Sequence, residues 1–234
     1  MAIALLLVSP FYLHSQSTMG ITGLLNSPSA LMTEDGTVKI GGNFLNTNMT
    51  PDQWDYNTFN FFINITFFSF LEAALTNTAF SFNKDGKFNN IDRAVCVKFR
   101  PLKEGRYHPS IAIGSNDLLT SNTTSYFDPS RGNKYFGTHY IALSKHLDLG
   151  KNRVGLHMAY NILSSTKQTI NFPLSGGISI SPFFYPKMNI IAEYDTRNFN
   201  FGGNILIFNH LFLQVFIQDL KYLSFGAHFQ ISLL

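Results

Sequence analysis

The chain has 234 residues, a formal charge of +3 and only 13% charged residues, beside 15% aromatic residues that include 24 Phe. A soluble globular domain carries about 25% charged residues, so this composition argues against one, and the small net charge without a basic cluster excludes nucleic acid as a partner. Beyond the N-terminus no run reaches the about 20 apolar residues of a membrane-spanning helix, which leaves a single domain that crosses a membrane with strands.

Residues 1–16 read as a secretory signal peptide. Ala2 to Val8 form an apolar core, Pro10 breaks it, and Ser15, Gln16 and Ser17 are small or polar residues at a plausible cleavage point. The usual basic start is missing, and an anchor helix is the alternative, although the run is short for one. Residues 17–35 are expected to form a periplasmic lead-in, because Gly20 to Thr33 is punctuated by Gly, Pro and Ser and Asp35-Gly36 marks a turn.

From residue 36 to residue 234 the pattern is that of strands. Twelve segments alternate with a period of two, near residues 36–46, 57–66, 70–82, 91–100, 109–116, 134–147, 153–163, 174–182, 187–196, 199–208, 211–218 and 222–234. The last is the clearest: Phe225, Ala227, Phe229, Ile231 and Leu233 form one row, and Ser224, Gly226, His228, Gln230 and Ser232 the other. Such a strand left as an open edge would template aggregation. Closure of the chain into an antiparallel up-and-down barrel removes the edge, with the apolar row facing lipid and the polar row facing a lumen. The run Phe59 to Leu71 carries no charge, but Asn60, Asn64 and Thr66 alternate with Phe61, Ile63 and Ile65, which makes it a strand and not a buried helix.

The connections alternate in length. Asn46 to Tyr56, Asn83 to Asn90, Asp117 to Asn133 and Ser164 to Asn171 are long, whereas Phe67 to Ser69, Asp148 to Asn152, Phe183 to Tyr185 and Asn209-His210 are tight; Pro101 to His108 and the last odd connections blur the rule. Long connections on one side and short ones on the other are the asymmetry of the bacterial outer membrane, with both termini periplasmic. Aromatics gather at strand ends as two girdles would. Phe67, Phe68, Phe70, Phe183, Phe184, Tyr185, Phe208 and Phe212 mark the short side. Trp54, Tyr56, Phe80, Phe82, Tyr135, Phe136, Phe199 and Phe201 mark the long side.

The same alternation sorts the charges. If Val95, Val97 and Phe99 face lipid, Lys98 and Arg100 face the lumen; if Met188, Ile190, Ala192 and Tyr194 face lipid, Glu193 and Asp195 point inward, as does Glu72 between Leu71 and Ala73. A Lys or Arg at the lipid midplane would cost about 2–4 kcal/mol, which enforces the assignment. Glu72, Lys98, Arg100, His157, Glu193, Asp195 and His228 are therefore the lumen-facing candidates. Two readings of them stay open. They form an ion-pair and hydrogen-bond network filling a narrow lumen, or they line a path that contacts sugar hydroxyls and uronic carboxylates.

Four stretches in register carry a resemblance: GLLNSPSALMTEDG at 23–36, HPSIAIGSNDL at 108–118, YIALSKHL at 140–147 and AEYDTRNFNFG at 192–202. Together they resemble the YjbH-like family of outer-membrane proteins tied to exopolysaccharide or capsule loci, over the chain from about Gly20 onward. Longer family members have two barrels and periplasmic domains, so the chain resembles a single-barrel version. The resemblance implies a part in exopolysaccharide export or surface assembly, with exopolysaccharide and export-locus proteins as partners beside outer-membrane lipid and the barrel assembly machinery.

Neither the resemblance nor the residues supply a catalytic motif. HExxH, GxSxG and a Gly-rich phosphate loop are absent. His108, His139, His146, His157, His210 and His228 lack ligand spacing, so no metal and no cofactor is expected. Cys96 is alone and reads as a buried thiol, and the three Asn-x-Thr sites beginning at Asn48, Asn64 and Asn122 are idle in a bacterial envelope. The expectation is a non-enzymatic barrel. The competing class is a structural or adhesive barrel with a plugged lumen, working through its long loop Asp117 to Asn133. An outer-membrane hydrolase would need a Ser and a His within hydrogen-bond reach on the outer wall, and the outward rows contain no such pair.

Overall fold

A computed structural model describes residues 13–79, 91–120 and 133–234. Its twelve strands are β1 Thr37–Leu45, β2 Thr58–Phe67, β3 Leu71–Ala79, β4 Ile91–Leu102, β5 Ser110–Thr120, β6 Thr138–Leu149, β7 Asn152–Leu163, β8 Leu174–Ser181, β9 Met188–Tyr194, β10 Phe199–Ile207, β11 Leu211–Gln218 and β12 Tyr222–Ser232. They match the expected segments to within a few residues at each end. Each strand pairs antiparallel with its neighbours in sequence, and β1 pairs with β12 from Thr37↔Ser232 to Phe44↔Phe225, closing the barrel. Across that seam Phe44 stacks on Phe225 with ring centroids 5.1 Å apart, a cross-strand contact that helps hold the register. Among the described residues there is no α-helix, only a 3-10 turn at Thr47–Met49 in the β1–β2 connection.

Local chemistry explains the strand ends. At the tight connections Phe68-Ser69, Phe208-Asn209 and Asp219-Leu220 both central residues have positive φ, as in the primed turns whose twist matches that of the flanking strands. The β4–β5 pairing shifts register between Phe99 and Leu102, across Pro101, which has no N–H to give to a ladder. It shifts again between Val95 and Val97, where the buried Cys96 Sγ accepts the Asp117 amide at 3.4 Å. The leader core, Phe80, Phe82, the 83–90 connection, most of the 117–133 connection and Asn122 lie outside the described residues.

The period of two separates the faces. Ile40, Phe61, Ile63, Ile113, Ile141, Met158, Ile190, Val215 and Phe229 are exposed around the circumference, while Asn60, Asn64, Thr76, Asn200, Ser224 and His228 are buried inside. Some aromatics depart from the girdle expectation. Phe212 lies inside and stacks on His228 at 4.2 Å. Trp54 and Phe136 are buried, in one cluster with Tyr56 and Tyr135. Phe212 sits on the inward row of β11, and the β1–β2 connection brings Trp54 onto buried apolar residues; position along a strand did not reveal the facing. Phe68, Phe183, Phe184, Phe199 and Phe208 are exposed at strand ends.

The largest difference concerns the lead-in. It was expected as a segment separate from the barrel, but residues 13–33 lie within it, almost wholly buried and bonded to the inner wall of most strands. Leu13 to Gln16, placed in the leader from the sequence, belong to the same segment: Ser15 O accepts the Gly23 amide at 3.0 Å and the Leu13 carbonyl accepts from Asn189. About eight strands close on a lumen that side chains alone can fill. Twelve leave a space that a stretch of backbone occupies here.

The facing has a direct test. Fluorophores attached at Ile190→Cys and Phe229→Cys in a Cys96→Ala background are expected to be quenched by brominated lipid in vesicles, and one at Thr169→Cys to be spared. Sparing of the labels at residues 190 and 229 as well would mean a different register, since a slip of one residue exchanges the faces.

Candidate functional site

The internal segment is seated by two clusters of wall side chains. Its turn at Gly20 has φ +77, and a Cβ there would come 2.7 Å from Phe62, so only glycine lets the segment pass this wall residue. Isolated bridges Gln16↔Thr22 and Gly23↔Pro28 fold it back on itself. Some of its amides and carbonyls pair within the segment, as Ser17 N does with Ile21 O, and wall side chains satisfy many of the others. Asn43 and Asn60 donate to Thr18 O, Asn64 to Gly20 O, and Thr76 to Met19 O.

The first cluster joins β1, β3 and β4. Glu72 Oε2 and Lys98 Nζ are 2.8 Å apart, both fully buried, and Lys39 Nζ lies 3.9 Å from Glu72 Oε1. Thr22 donates to Glu72 Oε1 through its amide at 2.9 Å and its hydroxyl at 2.7 Å. Lys98 Nζ donates to Thr22 O and Leu31 O, each at 2.6 Å, and so ties two points of the segment to each other and to the wall. Lys39 donates to Gln16 Oε1 at 2.7 Å. Buried charges persist where every donor and acceptor has a partner, and the segment supplies most of them.

The second cluster lies on β9, β10 and the connection between them. Glu193 accepts three consecutive segment amides, Leu25 at 3.0 Å, Asn26 at 2.8 Å and Ser27 at 3.2 Å, together with Asn200 Nδ2 at 2.8 Å. Asp195 accepts from Asn26 Nδ2 at 2.8 Å and from Asn200 at 3.0 Å. A carboxylate held by successive backbone amides is a strong, directional anchor. Apolar side chains complete the seat: Met19, Ile21, Leu24 and Leu25 pack with Leu45, Met49, Trp54 and Phe136 toward the long-connection end.

The seven lumen candidates do not form one network. Glu72 meets Lys98, and Glu193 neighbours Asp195, but the segment lies between the two groups. His157 bridges Ser144 Oγ at 2.9 Å and Ser179 Oγ at 3.1 Å, and Ser144 in turn accepts the Ala30 amide. His228 lies against Phe212. Arg100 is half-buried and donates to Ser69 O at the short-connection end. Lys39, Asn43, Asn60 and Asn64 were missed as site residues, although each sits on the inward parity of its strand; the signal was present, but their common target was not in the pattern.

A sequence model of one protein family, described as exopolysaccharide biosynthesis protein YbjH, matches residues 15–190 of the chain. The matched span includes most of the internal segment and the Lys39, Glu72 and Lys98 cluster. No curated protein matches the chain.

The first cluster predicts an asymmetry in stability. Lys98→Ala, which takes the nearest cation from Glu72 and the donor from Thr22 O and Leu31 O, is expected to cost about 3–5 kcal/mol, whereas Glu72→Gln combined with Lys98→Met costs less than that single change. Urea unfolding of the refolded barrel, followed by Trp54 fluorescence, measures both. A loss under about 1 kcal/mol for Lys98→Ala would mean that water solvates the lumen, as at an exposed ion pair.

Proposed function

The chain belongs to the YjbH family of exopolysaccharide biosynthesis proteins, and on that premise we propose that it acts at the bacterial outer membrane in exopolysaccharide export or surface assembly, as a barrel closed at rest by its own N-terminal segment. The observation that carries this reading is the seating of residues 13–33 in the lumen by Glu72, Lys98 and Glu193. The membrane placement draws support from the exposed apolar belt, which far exceeds the scattered patches of a water-soluble monomer. The connections add to it: β1–β2 and β7–β8 are long, while β2–β3, β6–β7 and β10–β11 are tight. No enzymatic step is assigned to it.

Passage of a glycan would require the segment to leave its seat. The wall permits this, since its ladders run from strand to strand and do not use the segment. The competing reading, a structural or adhesive barrel, draws on the same closure and on the apolar cluster around Trp54 that caps the segment.

Planar bilayers separate the two. The wild-type barrel is expected to conduct little. Glu193→Ala, which leaves three segment amides without their acceptor, and Gly20→Ala, which drives a methyl into Phe62, are expected to open discrete channels. In cells, deletion of the gene is expected to lower surface polysaccharide. Polysaccharide loss with both variants silent in bilayers would favour the structural reading; an unchanged surface would remove the exopolysaccharide role.

A further inference from the structure

At the short-connection end, where the segment runs on into β1, the lumen holds a cavity of about 650 Å³, within the range of about 300–1,000 Å³ of small-molecule sites. Its floor is Leu31 to Thr33 of the segment, and its rim comes from the connections that carry Ser69, Lys103, Lys187 and Asn209. Four permanent cations line it, Arg100, Lys103, Arg153 and Lys187, of which Arg100 donates to Ser69 O and Lys187 to Asn209 Oδ1, against the carboxylates of Glu34 and Glu104. Glu104 is already engaged, 3.3 Å from Lys145 Nζ and 2.6 Å from His146 Nδ1. Partial burial alone would raise its pKa, but the hydrogen bonds from His146 outweigh that and hold it below the ordinary value. The cavity is therefore a net cationic chamber, walled by the segment on one side and open on the other.

The placement of the cations indicates the shape of the anion. Arg100 and Lys103 belong to β4 and the connection after it, Arg153 to β7, and Lys187 to the connection before β9. β4 and β7 are three strands apart, roughly 14 Å along the wall at about 4.8 Å per strand. Cations so dispersed suit negative charges spaced along a chain and not one compact oxyanion, which needs convergent donors. Between them lie hydrogen-bonding groups of Thr33, Asn209 and Gln230 and apolar faces of Leu13, Leu31 and Ile231, the mixture that sugar rings and their hydroxyls require. We propose that this chamber binds a segment of acidic polysaccharide, with uronic carboxylates on the dispersed cations and sugar rings against the apolar floor. The proposal rests on the exopolysaccharide reading and names the substrate class. A chain so bound abuts Leu31 and Thr33, the part of the segment that Lys98 holds in place.

Isothermal titration of the full-length barrel in detergent tests it, with tetragalacturonate, maltotetraose and inorganic phosphate as probes. Tetragalacturonate is expected to bind, more weakly as ionic strength rises, and maltotetraose to bind at least about tenfold more weakly, the loss expected when charge-assisted contacts are absent. Lys103→Gln with Lys187→Gln, at rim positions outside the segment's seat, is expected to weaken tetragalacturonate by about tenfold or more. Lys221→Gln, in the β11–β12 connection at the other end, is expected to change nothing. Equal binding of maltotetraose, full competition by equimolar phosphate, or indifference to the rim double variant would overturn the proposal. The two readings fail separately: unchanged surface polysaccharide on gene deletion removes the export role while binding persists, and absent binding with lost polysaccharide removes only the acidic-glycan chamber.

Discussion

The structure depends on one buried ammonium, that of Lys98. It sits between a carboxylate of the wall and two carbonyls of the internal segment, and the residues that carry all three are buried. A charge in that position is tolerable only with its full complement of partners, and the carbonyls are tolerable only with donors. Wall and segment thus satisfy each other. The inward row of a barrel, which would otherwise face a water-filled lumen, becomes the lining of a polar core with a chain running through it.

The rest of the interior follows from that reciprocity. Asn and Thr side chains on β1, β2 and β3 meet segment carbonyls, while Glu193 meets segment amides. The two ends of the lumen differ because the segment occupies it unevenly. Toward the long connections its Met19, Ile21, Leu24 and Leu25 build a small apolar core with Trp54 and Phe136. Toward the short ones it leaves a chamber whose charges are mostly positive. The segment thus partitions the lumen, with an apolar core on one side and a polar chamber on the other.

Separability matters for function. The β-ladders that close the wall form a continuous hydrogen-bonded circuit from β1 through β12. The segment's contacts form a second set, made by side chains that reach inward. Exchanging that second set for water or for ligand hydroxyls leaves the first intact, so the segment and the wall are able to differ in stability, as the moving parts of proteins do.

The barrel was legible in the sequence because its cause is local. A strand with one face against an apolar surround and one against a polar interior alternates residue by residue, and twelve such runs separated by turn residues gave the strands, their order and the inward parity of Glu72, Lys98, Glu193 and His228. Family membership was legible in the same way, from short stretches in register. The destination of residues 13–33 was not. Ile21, Leu24, Leu25, Leu31 and Met32 fall at a helix-like spacing, but Gly20, Gly23, Pro28 and the serines between them allow no regular element, so the spacing does not say what they face, and the segment's partners are distant: Thr22 meets Glu72 across 50 positions and Leu25 meets Glu193 across 168. For the same reason Trp54, Phe136 and Phe212 were legible as strand-end aromatics but not as interior ones, because whether such a ring faces out or in depends on what the closed wall encloses. Periodicity determined the wall, since it records what each residue faces. Only the tertiary structure decided what fills the lumen, since a barrel's contents are fixed by a space that exists once the first and last strands have met.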